Sequence, residues 1–104
     1  ILIFAVLSDK DYRSMLQKIA PSAAVTILPP LTTRRAVPPE RLAGLLRKMG
    51  FPAVVAGTVD EAVHLALGMA EEGDVICALG SLYLAGEVKQ SFHQMNSCGK
   101  SCRA

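Results

Sequence analysis

The last strongly apolar run of the chain is followed by a glycine and a serine whose types and position suit the binding of an anion. Residues 75–79, Val-Ile-Cys-Ala-Leu, have the composition of a buried strand, and Gly80 and Ser81 separate them from an apolar pattern with helical spacing. The unpaired N–H groups at a helix start, together with the Ser81 hydroxyl, favour a negatively charged ligand. The alternative is that Ser81 is an ordinary helix cap. Its position alone favours that alternative, because caps are common and binding sites are few.

A group of charged residues, Asp9-Lys10-Asp11, follows the first apolar run, residues 1–7. In open α/β sheets ligands bind beyond the carboxyl ends of the strands, so these side chains are predicted to lie at that edge. There Lys10 could offset the charge of a phosphate or a carboxylate. The alternative, which the residues alone favour, is that Ser8 or Asp9 caps the helix that follows and the remaining charges are solvated.

A pair of arginines, Arg34 and Arg35, lies in the proline-rich segment 29–39 after the second apolar run. The prolines fix φ and exclude a regular strand ladder, so the segment is predicted to be a stiff loop. A stiff loop can hold a guanidinium for contact with a carboxylate through two N–H groups. The alternative, to which we give equal weight, is an arginine that is only solvated at the surface.

Apolar runs alternate with helical patterns along the chain, and this alternation predicts how the charged residues are positioned. It predicts an α/β fold, a three-layer Rossmann-like, mostly parallel sheet with helices on both faces. Thr58 and Glu61 are predicted to form a capping box. The predicted strands are residues 1–7, 24–28, 53–56 and 74–79, and the predicted helices are approximately 11–19, 39–49, 58–72 and 82–92. Residues 1–92 are predicted to form one domain, with a flexible tail at 93–104.

Composition and charge exclude several classes of function. The net charge is +2 over 104 residues and no cluster of basic residues with interleaved aromatic residues occurs, so we expect no nucleic-acid partner. No apolar run reaches the ~20 residues of a spanning helix, so we expect no membrane role. Three cysteines, an odd number, suit a reducing cytoplasm better than a set of disulfides. His93, Cys98 and Cys102 lack a fourth zinc ligand, and we predict no metal site.

The segment that begins at Gly80, Gly-Ser-Leu-Tyr-Leu-Ala-Gly-Glu-Val, resembles a segment near the C-terminus of the folylpolyglutamate synthase/dihydrofolate synthase family. Members of this family are ATP-dependent ligases related to the Mur ligases. The residues Ser8-Asp9-Lys10-Asp11, the pair Arg35-Ala36 and the helix from Thr58 to Ala70 agree with the family in kind and order. The resemblance covers about residues 1–92 and implies the C-terminal domain of a ligase, with the first strand of the family's domain missing.

The resemblance implies an enzyme that joins glutamate to folate or dihydropteroate. In this family the C-terminal domain closes over the nucleotide-binding domain and helps to position the incoming glutamate, so the binding interpretation of Ser81 becomes the preferred one. ATP and magnesium would bind mainly to an N-terminal ATPase domain outside this chain, and we therefore expect no catalytic residue here and no activity of the fragment alone. The residues implied to bind glutamate at the interdomain cleft are Ser81, Arg35, Lys10, Asp9 and Gly80.

Two other functions stay open. A Mur-type ligase acting on a peptidoglycan precursor would share the fold, although the Leu-Tyr-Leu-Ala-Gly-Glu run after Ser81 favours the folate branch. A stand-alone small α/β module could instead bind an anion or a partner. The genomic sequence upstream of Ile1 distinguishes these, since a reading frame with a phosphate-binding loop indicates a ligase and a nearby start codon indicates the module. The preference between dihydropteroate and folylpolyglutamate substrates also stays open.

Overall fold

The computed structural model describes residues 1–80, 84 and 88–90, in which strands and helices alternate as predicted. Leu84 and residues 88–90 are helical, whereas Ser81, most of the predicted helix 82–92 and the predicted tail 93–104 lie outside the described residues. Within the described part of the chain no helix is long and apolar enough to cross a membrane. The strands and α-helices in chain order are β1 (Leu2–Phe4), α1 (Tyr12–Ile19), β2 (Thr26–Leu28), α2 (Pro39–Lys48), β3 (Ala53–Val55), α3 (Val59–Met69) and β4 (Cys77–Leu79), and a short 3-10 helix, Ala20–Ser22, follows α1.

The four strands form one sheet in the order β3-β2-β1-β4, and every neighbouring pair is parallel. In register, Ile3 pairs with Ile27 and with Ala78, and Ile27 pairs with Val54. A helix connects each strand to the next, because parallel strands need a crossover rather than a hairpin. The predicted parallel sheet is confirmed.

Alternate side chains of the inner strands point to opposite faces of the sheet, and helices cover both faces. One core combines β1 and β2 with α1 and α2, and the other combines the same strands with α3 and Leu84. The first core includes Leu2, Phe4, Val6, Leu16, Leu28, Leu42 and Leu46, and the second includes Ile3, Ala5, Ile27, Ala62, Val63 and Ala66. The predicted three-layer α/β fold is therefore confirmed.

The first helix is capped by a different residue from the one predicted. Asp11, and neither Ser8 nor Asp9, is the N-cap of α1. Its carboxylate accepts hydrogen bonds from the Ser14 N–H (3.3 Å) and from the Ser14 hydroxyl (2.8 Å). These two bonds stabilise the ionised form and lower the pKa of Asp11 below its ordinary value of 3.8. Asp9 lies two residues before the cap, and its side chain contacts another loop instead.

Helix α3 begins as predicted, with a small difference in its cap. The Thr58 hydroxyl oxygen accepts a hydrogen bond from the Glu61 N–H (3.0 Å). The Glu61 carboxylate in turn accepts one from the Gly57 N–H (3.2 Å), one residue before the position that a capping box uses. Both bonds satisfy N–H groups near the helix start that have no partner inside the helix.

Helix α3 ends at Met69, three residues before its predicted end. A tight turn follows, in which the Asp74 N–H donates to the Glu71 carbonyl (2.9 Å) and the Asp74 carboxylate accepts from the Glu71 N–H (2.8 Å). Gly73 has a φ of +92°, which glycine adopts without strain. The Asp74 side chain stabilises this turn in competition with the helix, which a pattern of apolar residues does not reveal.

The predicted strand 74–79, of which Cys77–Leu79 forms β4, is much more exposed than its apolar sequence indicates, and the prediction of a buried strand is wrong. Val75 is 69% exposed, Leu79 is 44% exposed, and Cys77 is exposed as well. The alternate side chains, Ile76 and Ala78, pack against the second core. The reason is that β4 lies at the edge of the sheet, where none of the described residues of α1 and α2 covers this face.

Candidate functional site

At the carboxyl edge of the sheet, the chain after β1 lies against the end of the proline-rich loop. The Val37 N–H donates to the Val6 carbonyl (2.9 Å), and the Ser8 N–H donates to the Arg35 carbonyl (2.7 Å). Val6 and Val37 are buried, so the bond between them satisfies backbone groups that water does not reach. The backbone of Arg35 is thus held against the residues that follow β1.

The side chains of Asp9 and Arg35 form an ion pair that joins these two segments. The Nη2 atom of Arg35 donates to Oδ2 of Asp9 at 3.0 Å. Both side chains are largely exposed, 66% for Arg35 and 52% for Asp9, so water screens the pair and its contribution to stability is about 0–1 kcal/mol. The pair matters for orientation, because the guanidinium has further N–H donors that can contact a ligand while Asp9 holds it.

A threonine that the sequence analysis does not single out also positions Arg35. The Thr33 hydroxyl oxygen accepts from the Arg35 N–H (3.3 Å), and the Thr33 carbonyl accepts from the Ala36 N–H (3.3 Å). A threonine two residues before its backbone partner is a recognised turn signal and could have indicated this role. The neighbouring Arg34 is exposed and forms no ion pair within the described residues, so the structure distinguishes the two arginines.

Gly80 lies against the end of β1, at the same edge as the ion pair. Its φ is +109°, a conformation that residues with a side chain rarely adopt. A Cβ atom here would overlap the carbonyl oxygen of Ala5 and lie 3.0 Å from the ring of Phe4. The Ala5 N–H donates to the Leu79 carbonyl (3.4 Å) just before this contact. Only a glycine allows β4 to end this close to β1.

Lys10 directly follows Asp9 at this edge of the sheet and also lines a neighbouring hollow. Its N–H donates to the Leu7 carbonyl (3.2 Å), which closes the turn after β1. Its side chain is exposed and lines a hollow between α1 and α2. The structure therefore joins Asp9 to Arg35, places Gly80 at the same edge, and places Lys10 next to them; Ser81 lies outside the described residues.

The described part of this edge is suited to hold an anion. It offers the guanidinium of Arg35 and, one position after Asp9, the ammonium of Lys10. No group of three or more His, Cys, Asp or Glu residues that could hold a metal ion occurs in the described residues. These groups can bind and orient a carboxylate or a phosphate through charge-assisted hydrogen bonds.

The carboxyl edge of the parallel sheet, where these charged residues lie, is the edge at which open α/β domains bind their ligands. The family model described as "Mur ligase, glutamate ligase domain" matches residues 1–82. This chain belongs to that family. A search of curated protein sequences found no match.

Solved structures of ligases have the same fold. Folylpolyglutamate synthase of Mycobacterium tuberculosis, complexed with ADP and AMPPCP, matches with a TM-score of 0.77 and 25% identity over 88% of this chain. E. coli FolC, in complex with DHPP and ADP, matches with a TM-score of 0.77 and 21% identity over 91% of this chain. This chain spans 23% and 22% of the lengths of those two proteins, respectively. It therefore corresponds to less than a quarter of each of those proteins.

Proposed function

We propose that this chain is the C-terminal domain of an ATP-dependent ligase that adds glutamate to folate or dihydropteroate. Its part in the reaction is to position glutamate and to close the active site between domains. The observation that carries the proposal is the Asp9–Arg35 ion pair, which holds a guanidinium at the same edge of the sheet as Gly80. Membership of the glutamate ligase domain family and the likeness to folylpolyglutamate synthase support it.

The nucleotide is assigned mainly to the rest of the ligase. The matched structures hold ADP or AMPPCP, which supports the use of ATP by the intact ligase. ATP with magnesium, bound to an N-terminal ATPase domain, would supply the activation of the acceptor carboxylate. We expect the 104-residue chain alone to be inactive, and the intact ligase to work in the cytoplasm with L-glutamate and a folate as substrates.

Within this domain, each residue of the edge has a separate task. Arg35, oriented by Asp9 and Thr33, would hold a carboxylate of glutamate through its remaining N–H donors. Lys10 would add positive charge next to that carboxylate. The hydroxyl of Ser81, the residue after Gly80 in the sequence, would donate a further hydrogen bond. Holding glutamate in this way leaves its amine free to attack the acceptor.

The test compares Arg35→Gln with Arg34→Gln in the full-length ligase. A charge-assisted hydrogen bond contributes about 1.5–3 kcal/mol, so Arg35→Gln should raise the glutamate KM roughly 10- to 100-fold. Arg34→Gln removes the same charge one residue away and should leave the glutamate KM unchanged. The KM for ATP should stay the same in both variants. Equal glutamate KM values in the two variants would show that Arg35 does not bind glutamate.

A Mur-type ligase is the second candidate, since the matching family is named for Mur ligases. The two candidates differ in the acceptor that receives the amino acid. If the full-length enzyme turns over a peptidoglycan precursor and turns over neither dihydropteroate nor folate, it is a Mur-type ligase. Turnover of a folate or dihydropteroate with glutamate would decide for the proposed function.

A further inference from the structure

The two helical layers of the domain carry charges of opposite sign. Residues 1–56, which include α1 and α2, contain eight lysine and arginine residues and three acidic residues. Residues 57–80, which include α3, contain five acidic residues and no lysine or arginine, and Lys89 adds one positive charge among the described residues that follow. Because α1 and α2 cover one face of the sheet and α3 covers the other, the described part of the domain has a basic face and an acidic face.

The basic face contains the hollow between α1 and α2, which has a volume of about 420 Å³. Tyr12 and Leu45 line it and pack against the first core, so the hollow offers apolar contact as well as charge. Within the described residues, none of the basic side chains that line it forms an ion pair. Its charged lining consists of the basic residues Lys10, Arg13, Arg41 and Lys48 and the acidic residues Asp11 and Glu40.

The acidic face includes the turn that follows α3, residues 70–74. Glu71 and Glu72 are exposed in this turn, and neither forms an ion pair with a described residue. Two large apolar side chains precede them at the end of α3, where Leu67 is 43% exposed and Met69 is 41% exposed. The end of α3 and its turn therefore combine exposed apolar surface with negative charge that no described basic side chain pairs.

The hollow and the end of α3 are complementary, since both offer apolar contact and their charges have opposite sign. They lie on opposite faces of the sheet, so the turn of one molecule cannot reach the hollow of the same molecule. A second copy of the chain can bring the two surfaces together. Apolar side chains would then leave water, and the opposite charges would steer the approach.

We propose that the ligase associates head-to-tail through this domain, with the end of α3 and the acidic turn of one copy docked in the basic hollow of a second copy. Such a contact joins different surfaces of the two copies, so each copy keeps one surface free and further copies can add. Exposed ion pairs are weak and are screened by salt, so the association is strongest at low ionic strength. The proposal involves no substrate and stands independently of the proposed function.

The first experiment measures sedimentation velocity of the full-length ligase over a range of protein concentrations at low and high salt. The screening length falls from about 30 Å at ~0.01 M salt to about 3 Å at ~1 M salt. The ligase should associate at the low salt concentration, and its apparent Kd should rise at least roughly tenfold at the high one. A ligase that sediments as a monomer at both salt concentrations overturns the proposal.

The second experiment reverses the charge of each surface at low salt. Glu71→Lys/Glu72→Lys makes the turn basic, and Arg41→Glu/Lys48→Glu makes the hollow acidic; all four side chains are exposed. Each variant alone should associate at least about tenfold more weakly than the unaltered ligase, because its two surfaces carry charge of the same sign. An equal mixture of the two variants should associate again, because every acidic surface then finds a basic one. This recovery cannot arise from variants that fail to fold.

Lys18→Glu/Arg34→Glu is the matched control, since it reverses two exposed positive charges that do not line the hollow. It should associate as the unaltered ligase does. An equal loss of association in this control would show that net charge, and not the hollow, governs association, and would overturn the proposal. A mixture of the two reversed variants that stays dissociated would overturn it as well. Loss in the hollow variant alone would show that the hollow takes a different acidic partner and that a second copy is the wrong occupant.

Discussion

Strands β1 and β4 lie side by side in the sheet and are both apolar, yet their surroundings differ. Phe4 of β1 and Leu79 of β4 are partners in register, and Phe4 is fully buried whereas Leu79 is 44% exposed. On the face where α1 and α2 bury Phe4, a hollow of about 300 Å³ lies beside Val75, Cys77 and Leu79. An apolar run therefore indicates a strand, but the neighbouring elements decide whether its side chains are buried.

The same two strands are tightly fitted at their carboxyl ends. Gly80 approaches Ala5 so closely that no side chain fits between them, although β4 is open along one face. Close backbone contact at the end of β4, rather than side-chain burial along it, thus holds Gly80 against β1.

The largest expected effect is the difference in stability lost when an apolar side chain is truncated in β1 and in β4. Phe4→Ala should lower the free energy of unfolding by about 3–5 kcal/mol, because it leaves a cavity in a packed core. Leu79→Ala, at the register partner on the same face, should cost less than about 1 kcal/mol because Leu79 is already partly in water. Urea unfolding measures both values. Equal losses of unfolding free energy in the two variants would show that Leu79 is as well buried as Phe4, and would contradict the difference in burial between the strands.

A smaller loss of stability tests the close contact between Gly80 and Ala5 at the ends of β4 and β1. Gly80→Ala should cost about 3 kcal/mol or more, since it combines backbone strain with overlap against the Ala5 carbonyl. Gly73→Ala is the matched control: Gly73 also has a positive φ, but a Cβ there meets no atom within 4 Å. That variant should cost only the strain, about 1–2 kcal/mol. If urea unfolding gives the same loss for both, the end of β4 is not held against β1.

The alternation of apolar runs and helical patterns was sufficient to predict the order of the elements and the parallel sheet. Local patterns were less reliable at element ends. The predicted cap of α1 was wrong because Asp9 pairs with Arg35, 26 residues away, a contact that no local pattern contains. The predicted end of α3 was wrong because the Asp74 side chain stabilises a turn after Met69.

The positions of the candidate residues in the fold were predictable, and their contacts were less so. The rule that ligands bind at the carboxyl edge of a parallel sheet correctly placed Asp9, Arg35 and Gly80 along one edge. The sequence did not show that Thr33 orients Arg35, or that Lys10 also lines a hollow between α1 and α2, because both depend on the path of the proline-rich loop and on the spacing of α1 and α2. The roles of these residues in binding stay predictions.

The central claim is that glutamate binds where β4 ends, and the glutamate KM of Ser81→Ala in the full-length ligase tests it most directly. Loss of a hydroxyl donor to a carboxylate should raise that KM roughly 10- to 100-fold and leave the KM for ATP unchanged. Because loss of a helix cap alone costs about 1 kcal/mol, Thr58→Ala, which removes the cap of α3, serves as the control for stability. We expect Thr58→Ala to lower the Tm without raising the glutamate KM. A Ser81→Ala enzyme with an unchanged glutamate KM would contradict the claim and leave Ser81 without a role in glutamate binding.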